Sequence, residues 1–446
     1  MPSKKAKPAS SGTPPASVTI RMYNVGFGDC FLLTFHYSKE KRHMLVDFGT
    51  TSGPKDQPKD YMKRVAADIK AQCGSKLHIV VATHRHRDHI SGFATNGDGT
   101  GNIIAGLKPD YVIQPWTEDP NAKPDALTAT VATGTNSSPS SKQMKAHYLG
   151  SLKAMHRVAA GVGEWARHNQ GAVDSGALNQ LEFLGEDNLE NLSAVNNLMT
   201  MGRAGTAYYV NAGMTLNHLL PGVKITVLGP PNLIQSDKIR HERSSDPSEF
   251  WQFRNFWATQ RQAVARTASK RPTALFPRDV SVARGPNVRW FIRQSREIQA
   301  NQMLHLVREL DDVRNNTSVI LLLECGSKKL LFPGDAQIEN WAYALGKPEW
   351  MALLKDVDLY KVGHHGSLNA TPKTLWSAFR HKGQHGTQER IETLCSTKSG
   401  KHGSVDAGTE VPRRLLVDEL KKDSDFTSTE NYTAADGLVR EFSVRV

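Results

Sequence analysis

The sequence predicts an α/β protein, a sandwich of β-strands with helices outside it. Three observations carry that prediction. Three short strand-like segments fall within residues 18–47, close enough to pair antiparallel. A periodic helix at 59–73 then runs directly into a fourth strand at 78–83, a β–α–β step. That strand ends in a loop carrying His84, His86, Asp88 and His89, four groups able to bind a transition metal.

Residues 1–17 are rich in Lys, Pro, Ser and Ala and are expected to be a disordered tail. The tail has Lys4, Lys5 and Lys7 but no apolar stretch after them, so it does not read as a secretory signal. The fold is expected to occupy 18–446 as one domain, with an insertion at about 116–315. Residues 18–23 alternate as a half-buried strand does, 24–29 turn, and 30–35 and 44–47 supply the next two strands. In the helix that follows, Tyr61, Val65 and Ile69 recur at i+4 with Met62 and Ala66 beside them, and Gly74 is its stop.

Residues 78–82 (HIVVA) are β-branched and apolar with no breaker, so the potential ligands sit where a buried strand gives way to a loop. His84 and His86 can point to one side of the turn, Asp88 and His89 to the other. Imidazole and carboxylate together suit zinc, manganese or iron.

The middle of the chain is harder to read. Residues 118–142 are rich in Asn, Thr, Ser, Gly and Pro and read as a loop. Residues 143–170 and 176–200 have helical spacing, and 208–210 and 224–228 return to strand. From 236 to 300 there are thirteen Lys/Arg against six Asp/Glu, a net +7, with Phe250, Trp251, Phe253, Phe256, Trp257, Phe276, Trp290 and Phe291 among them. Basic residues interleaved with aromatics suit nucleic acid. Phe250, Phe253 and Trp257 also share a helical face, and helical cover for the site is the preferred reading. Beyond the insertion, 358–362 and 391–395 read as strands, 372–380 and 412–422 as helices, and 439–446 as a closing strand. These complete a four-layer αββα sandwich.

His84, His86, Asp88 and His89 together form H-x-H-x-D-H, and with this motif the chain resembles the metallo-β-lactamase fold. It looks closest to the soluble domain of the bacterial DNA-uptake competence protein ComEC and its stand-alone relatives. Three further stretches carry the resemblance: residues 24–30 (NVGFGDC) with 45–49 (LVDFG); 315–320 (NNTSVI) with 330–335 (LLFPGD); and 361–367 (KVGHHGS). The resemblance implies two metal ions, zinc by preference and manganese or iron as alternatives. It implies His84 and His86 on the first ion, Asp88 and His89 on the second, Asp335 between the two, and His364 on the second. Neighbouring turn residues do not usually face one ion, so His365 is expected to orient His364 or contact the substrate. Asp88 and His365 are the residues assigned to catalysis. Asp47, at a strand end, could accept a hydrogen bond from a liganding histidine and fix its tautomer. Many superfamily members have one more histidine before the bridging aspartate. Here the candidates are His147, His156, His168, His218, His241 and His305, of which His218 beside a strand is the best placed. His402, in a late polar loop, could contact substrate.

Composition narrows the function classes. The chain of 446 residues is 39% hydrophobic and 22% charged, a globular balance. No apolar run approaches the ~20 residues of a membrane helix, and a soluble cytoplasmic protein is expected. Cys30, Cys73, Cys325 and Cys395 form no C-x-x-C pair and read as buried free thiols. The net charge of +12 attracts polyanions and favours a phosphate-bearing substrate, with DNA or RNA as candidates. The leading expectation is a dinuclear zinc phosphodiesterase or nuclease in which metal-activated hydroxide attacks phosphorus. The alternatives are hydrolysis of another ester (lactone, thioester, β-lactam, phosphocholine) and a nucleic-acid- or partner-binding effector that retains the fold.

Overall fold

A computed structural model describes residues 12–122, 126–128, 191–236, 315–367, 371–383, 390–401 and 410–446. Outside these lie the helix expected at 143–170, the part of the helix expected at 176–200 before residue 191, and the basic, aromatic-rich residues 237–300. His147, His156, His168, His241, His305 and His402 lie outside them too.

Strands β1 (Ser17–Tyr23), β2 (Cys30–His36) and β3 (Lys41–Phe48) form the expected antiparallel meander. Then β4 (Ile79–Val81), β5 (Tyr111–Pro115) and β6 (Thr206–Val210) extend it in parallel from β3. The second sheet opens with β7 (Val223–Gly229), β8 (Ile320–Cys325) and β9 (Lys328–Phe332), paired antiparallel. It continues in parallel through β10 (Leu359–Lys361), β11 (Glu392–Cys395) and β12 (Asp425–Ser428). The last strand, β13 (Val439–Arg445), returns to the first sheet and pairs antiparallel with β1. The sheet orders are β13-β1-β2-β3-β4-β5-β6 and β12-β11-β10-β9-β8-β7.

The inner strands bury both faces, which explains their continuous apolar runs. In β2, Phe31, Leu33 and Phe35 point between the sheets, where they join Leu321, Leu323, Leu330 and Phe332. Cys30 and Leu32 of the same strand point outward and pack with Val65 and Ile69. Those two belong to α1 (Tyr61–Cys73), which covers the outer face of the first sheet with α2 (Arg87–Ile90), α3 (Thr100–Ala105) and α4 (Leu192–Ala204). The outer face of the second sheet is covered by α5 (Ile338–Leu345), α6 (Pro348–Leu354), α7 (Lys373–Ala378) and α8 (Arg414–Asp423), through Trp341, Leu354, Trp376 and Leu420. The αββα sandwich predicted from the sequence is the architecture that forms.

Two boundaries differ from the sequence expectation. Strand β1 begins at Ser17, and the Ala16 amide already donates to the His36 carbonyl, so order starts before Val18. More importantly, α4, β6 and β7 fall within the span read as an insertion, yet β6 and β7 are edge strands of the two sheets. The strands expected at 208–210 and 224–228 form as β6, with one buried residue in five, and β7, with six in seven. All four cysteines are buried free thiols, as the sequence suggested. Among the described residues, no helix is long and apolar enough to cross a membrane.

Candidate metal centre

The chemistry collects at one end of the sandwich because β3, β4, β9 and β10 all deliver their carboxyl ends there. Asp47 closes β3, and Thr83 and His84 follow β4. The single turn of α2 carries Asp88 and His89, Asp335 follows β9, and His364 and His365 follow β10. The two sheets meet closely at this end. Gly334 has φ +55°, and a Cβ there would sit 2.7 Å from the Thr83 Cβ, so glycine is required. Three non-glycine residues at the site also have left-handed backbone: Asp47 (φ 55°), His364 (φ 41°) and His365 (φ 52°). Such strain persists where the surrounding structure imposes it, commonly at functional sites.

Asp88, His89, Asp335 and His365 form one buried group whose potential ligand atoms lie within 4.8 Å of one another. His365 Nε2 is 2.8 Å from Asp88 Oδ2 and 3.4 Å from Asp335 Oδ2, and His89 Nε2 is 3.1 Å from the latter. Both imidazoles are oriented through their other nitrogen. His365 Nδ1 donates to the Ser396 carbonyl at 2.9 Å, and His89 Nδ1 donates to Asp47 Oδ2 at 2.7 Å. Each Nε2 is thereby turned to the group's centre.

A second group, His84, His86 and Asp88, adjoins the first and shares Asp88 with it. His84 Nε2 faces His86 Nδ1 at 2.9 Å. Two nitrogens on one tetrahedral zinc, each ~2.1 Å from it, would stand roughly 3.4 Å apart, so a small outward rotation opens this pair to an ion. Thr83 Oγ1 contacts His84 Nδ1 at 3.2 Å and donates to Asp47 Oδ2 at 2.7 Å. Asp47 therefore steadies both groups.

The donor set fits divalent ions. Buried Asp88 Oδ1 has no hydrogen-bond partner among the described residues, although it points into a cluster of ligand types; His89 Nε2 meets only Asp335 Oδ2, at 3.1 Å. An ion would satisfy Asp88 Oδ1, whereas leaving it bare costs on the order of 1–3 kcal/mol. Electrostatics agree. Burial pushes the Asp335 carboxyl up, but His89, His365 and Lys361 outweigh it and hold the group well below the usual range. Burial likewise raises Asp88, yet His89 and the hydrogen bond from His365 bring it to about 2. Burial lowers His89, and Asp335, Asp88 and Asp47 reverse this and hold it well above its ordinary value. His365 is raised in the same way, by Asp335, Asp29 and Asp88 against burial. Burial first, then the neighbouring His89 and His86, keep His84 neutral.

The residues expected from the sequence do not all fall within these two groups. Of the two late histidines, His365, expected in a supporting role, falls in the four-residue group, and His364, expected as a ligand, lies beside it. His364 Nε2 is 4.0 Å from Asp335 Oδ2 and accepts from the Asn315 amide at 3.3 Å, while its Nδ1 donates to Ser367 Oγ at 2.8 Å. The left-handed turn swings His365 inward and leaves His364 at the rim, where 18% of its side chain is exposed. Burial lowers its pKa to about 4, against the pull of Asp335. Asp88 occurs in both groups, and Asp335, expected between the two ions, occurs in the first. His218 is exposed and paired with the Tyr208 hydroxyl at 2.6 Å, outside both groups.

Two residues at the centre escaped the sequence reading. Asp29, read as part of a turn, and Lys361, read as part of a strand, form a buried ion pair beneath Asp335. The signal was present in β10. Its three residues, Leu359, Tyr360 and Lys361, are all buried, and a lysine in so short a buried strand needs a carboxylate partner.

No protein-family model matches the chain, and no curated protein matches it. Among solved structures, a mutant form of the CmlA β-hydroxylase aligns at 10% identity with a TM-score of 0.30. The alignment covers 96% of this chain and 54% of that one, so the chain spans about half the length of that structure. The chain's own two mixed sheets, face to face with helices on both outer surfaces, match the αββα sandwich of the metallo-β-lactamase fold.

Proposed function

We propose that this chain is a metal-dependent hydrolase of the metallo-β-lactamase superfamily, acting on a phosphodiester, with DNA or RNA as the substrate class. One observation carries the reading: Asp88, His89, Asp335 and His365, delivered from both sheets, converge in a buried group of ligand atoms within 4.8 Å. A purely structural protein has no use for two carboxylates and two imidazoles buried together with an unsatisfied Asp88 oxygen. His84 and His86, with the shared Asp88, make the second half of a dinuclear centre. Zinc suits the donor set best, and manganese or iron also suit it. The phosphodiester assignment rests on the net charge of +12 and on the ComEC-like motifs at 24–30, 315–320 and 361–367.

Ions bound at such a centre polarise a phosphoryl oxygen and lower the pKa of water. The protein's own groups do the rest. Asp47 and the Ser396 carbonyl fix the tautomers of His89 and His365, so both Nε2 atoms stay aimed inward. Asp88 stays ionised at neutral pH. His364, neutral and at the rim, is the group placed to touch a substrate: its Nε2 accepts from Asn315 and its Nδ1–H is held by Ser367.

The test is hydrolysis of bis-p-nitrophenyl phosphate by metal-loaded protein. Turnover is expected, abolished by chelation and by His86→Ala. A metal-loaded protein that cleaves only amides or lactams would overturn the phosphodiester reading.

A further inference from the structure

Lys361 is buried to 2% exposure at the floor of the metal centre. Its ammonium pairs closely with Asp29 Oδ2, donates to the Gly334 carbonyl at 3.2 Å, and lies 3.4 Å from Asp335 Oδ1. The two oxygens of Asp335 therefore have separate duties. Oδ1 faces the ammonium. Oδ2 faces His89 Nε2 at 3.1 Å and His365 Nε2 at 3.4 Å. Four carboxylates, Asp29, Asp47, Asp88 and Asp335, are buried within this one region, each at 1–2% exposure. An ammonium fixed among them compensates part of their charge without occupying a ligand position.

The geometry points to Lys361 as a positioning residue, which with Asp29 withholds Oδ1 of Asp335 so that this aspartate offers a metal ion Oδ2 alone. This rests on the metal reading above. A carboxylate free at both oxygens can chelate one ion with both or bridge two ions with one each. Held at Oδ1, Asp335 would meet metal through Oδ2 alone, beside Asp88, His89 and His365.

The experiment is cobalt(II) titration of metal-stripped protein, read by visible absorption and by competition with a coloured chelator. It compares wild type, Lys361→Met and the double variant Asp29→Asn with Lys361→Met. The double variant removes both charges of the pair, so it keeps the test valid if Lys361→Met alone fails to fold. The expected result is a folded double variant with cobalt affinity at least ~10-fold weaker, the size of effect typical when a ligand loses its outer partner. Its d–d absorption should also fall in intensity, as a freed Asp335 raises the coordination number. A double variant with wild-type affinity and an unchanged spectrum would overturn the proposal and reduce Lys361 to a counter-charge for Asp29. A wild-type protein that takes up no cobalt would overturn the metal reading itself, and this inference with it.

Discussion

Asp47 accepts from three donors at once: the Thr83 amide and the Thr83 hydroxyl, each at 2.7 Å, and His89 Nδ1 at 2.7 Å. Asp47→Asn keeps the shape but puts an NH2 where an acceptor is needed. Metal affinity should fall about 10–100-fold, measured by chelator competition. A loss no greater than twofold would remove Asp47 from this role. His364 and His365 separate in the same assay. His365→Gln should abolish tight binding at one site, while His364→Gln should retain both ions and lose turnover. Affinity should also depend on pH with a definite sign. His89 and His365 are raised above the ordinary imidazole value, so the ion-free protein holds protons that an ion must displace. Affinity therefore rises from pH 6 to pH 8; a flat profile would contradict this. At this scale the sequence shows the ligand types plainly, since the H-x-H-x-D-H run is contiguous. The choice between His364 and His365 depends on two consecutive left-handed residues, which no local pattern announces. Lys361 and Asp29 are invisible as a pair because their partnership is made only when the two sheets close.

Among the elements, the parallel halves of the two sheets matter most, because they bring four strand ends to one edge. Strand β4 was legible because it is apolar and follows a clear helix. Strand β12, whose residues are exposed or half-buried, gave no such signal. It lies beside β11 with Glu392 opposite Asp425. Burial first, and this like charge second, push the Glu392 carboxyl up to about 7. A carboxyl raised in the folded state adds stability below its unfolded value and loses it as pH rises through the folded one. Glu392→Gln should therefore raise the melting temperature at pH 8 and leave it unchanged near pH 4. Because the side chain is partly solvated, the gain should stay below about 1 kcal/mol. A destabilised variant at pH 8 would refute the assignment. At the turn after β9, Gly334→Ala forces a Cβ against Thr83 with φ at +55°. A cost of roughly 1–3 kcal/mol is expected in denaturant unfolding, together with weaker metal binding.

At the scale of the whole molecule, residues as far apart in sequence as Asp47 and His365 meet in one buried centre, so an ion bound there would couple metal binding to folding. An ion held at 1,000 times its dissociation constant adds about 4 kcal/mol of stability. The melting temperature should fall on chelation and recover on re-addition of zinc. The sandwich was legible because its strands are apolar on both faces and its helices periodic. Within the span 116–315 the strands at 208–210 and 224–228 were legible and form β6 and β7, but their place as edge strands of the two sheets was not. The central claim is that the chain is a dinuclear metalloprotein built on Asp88, His89, Asp335 and His365 with His84 and His86. Metal content per chain measures it most directly, determined by elemental analysis after reconstitution with zinc and gel filtration. Two ions per chain are predicted for the wild type and for His364→Gln, and one for His365→Gln. A wild type that retains no ion, or a variant pair in which His364→Gln loses the ion and His365→Gln keeps it, would contradict the account.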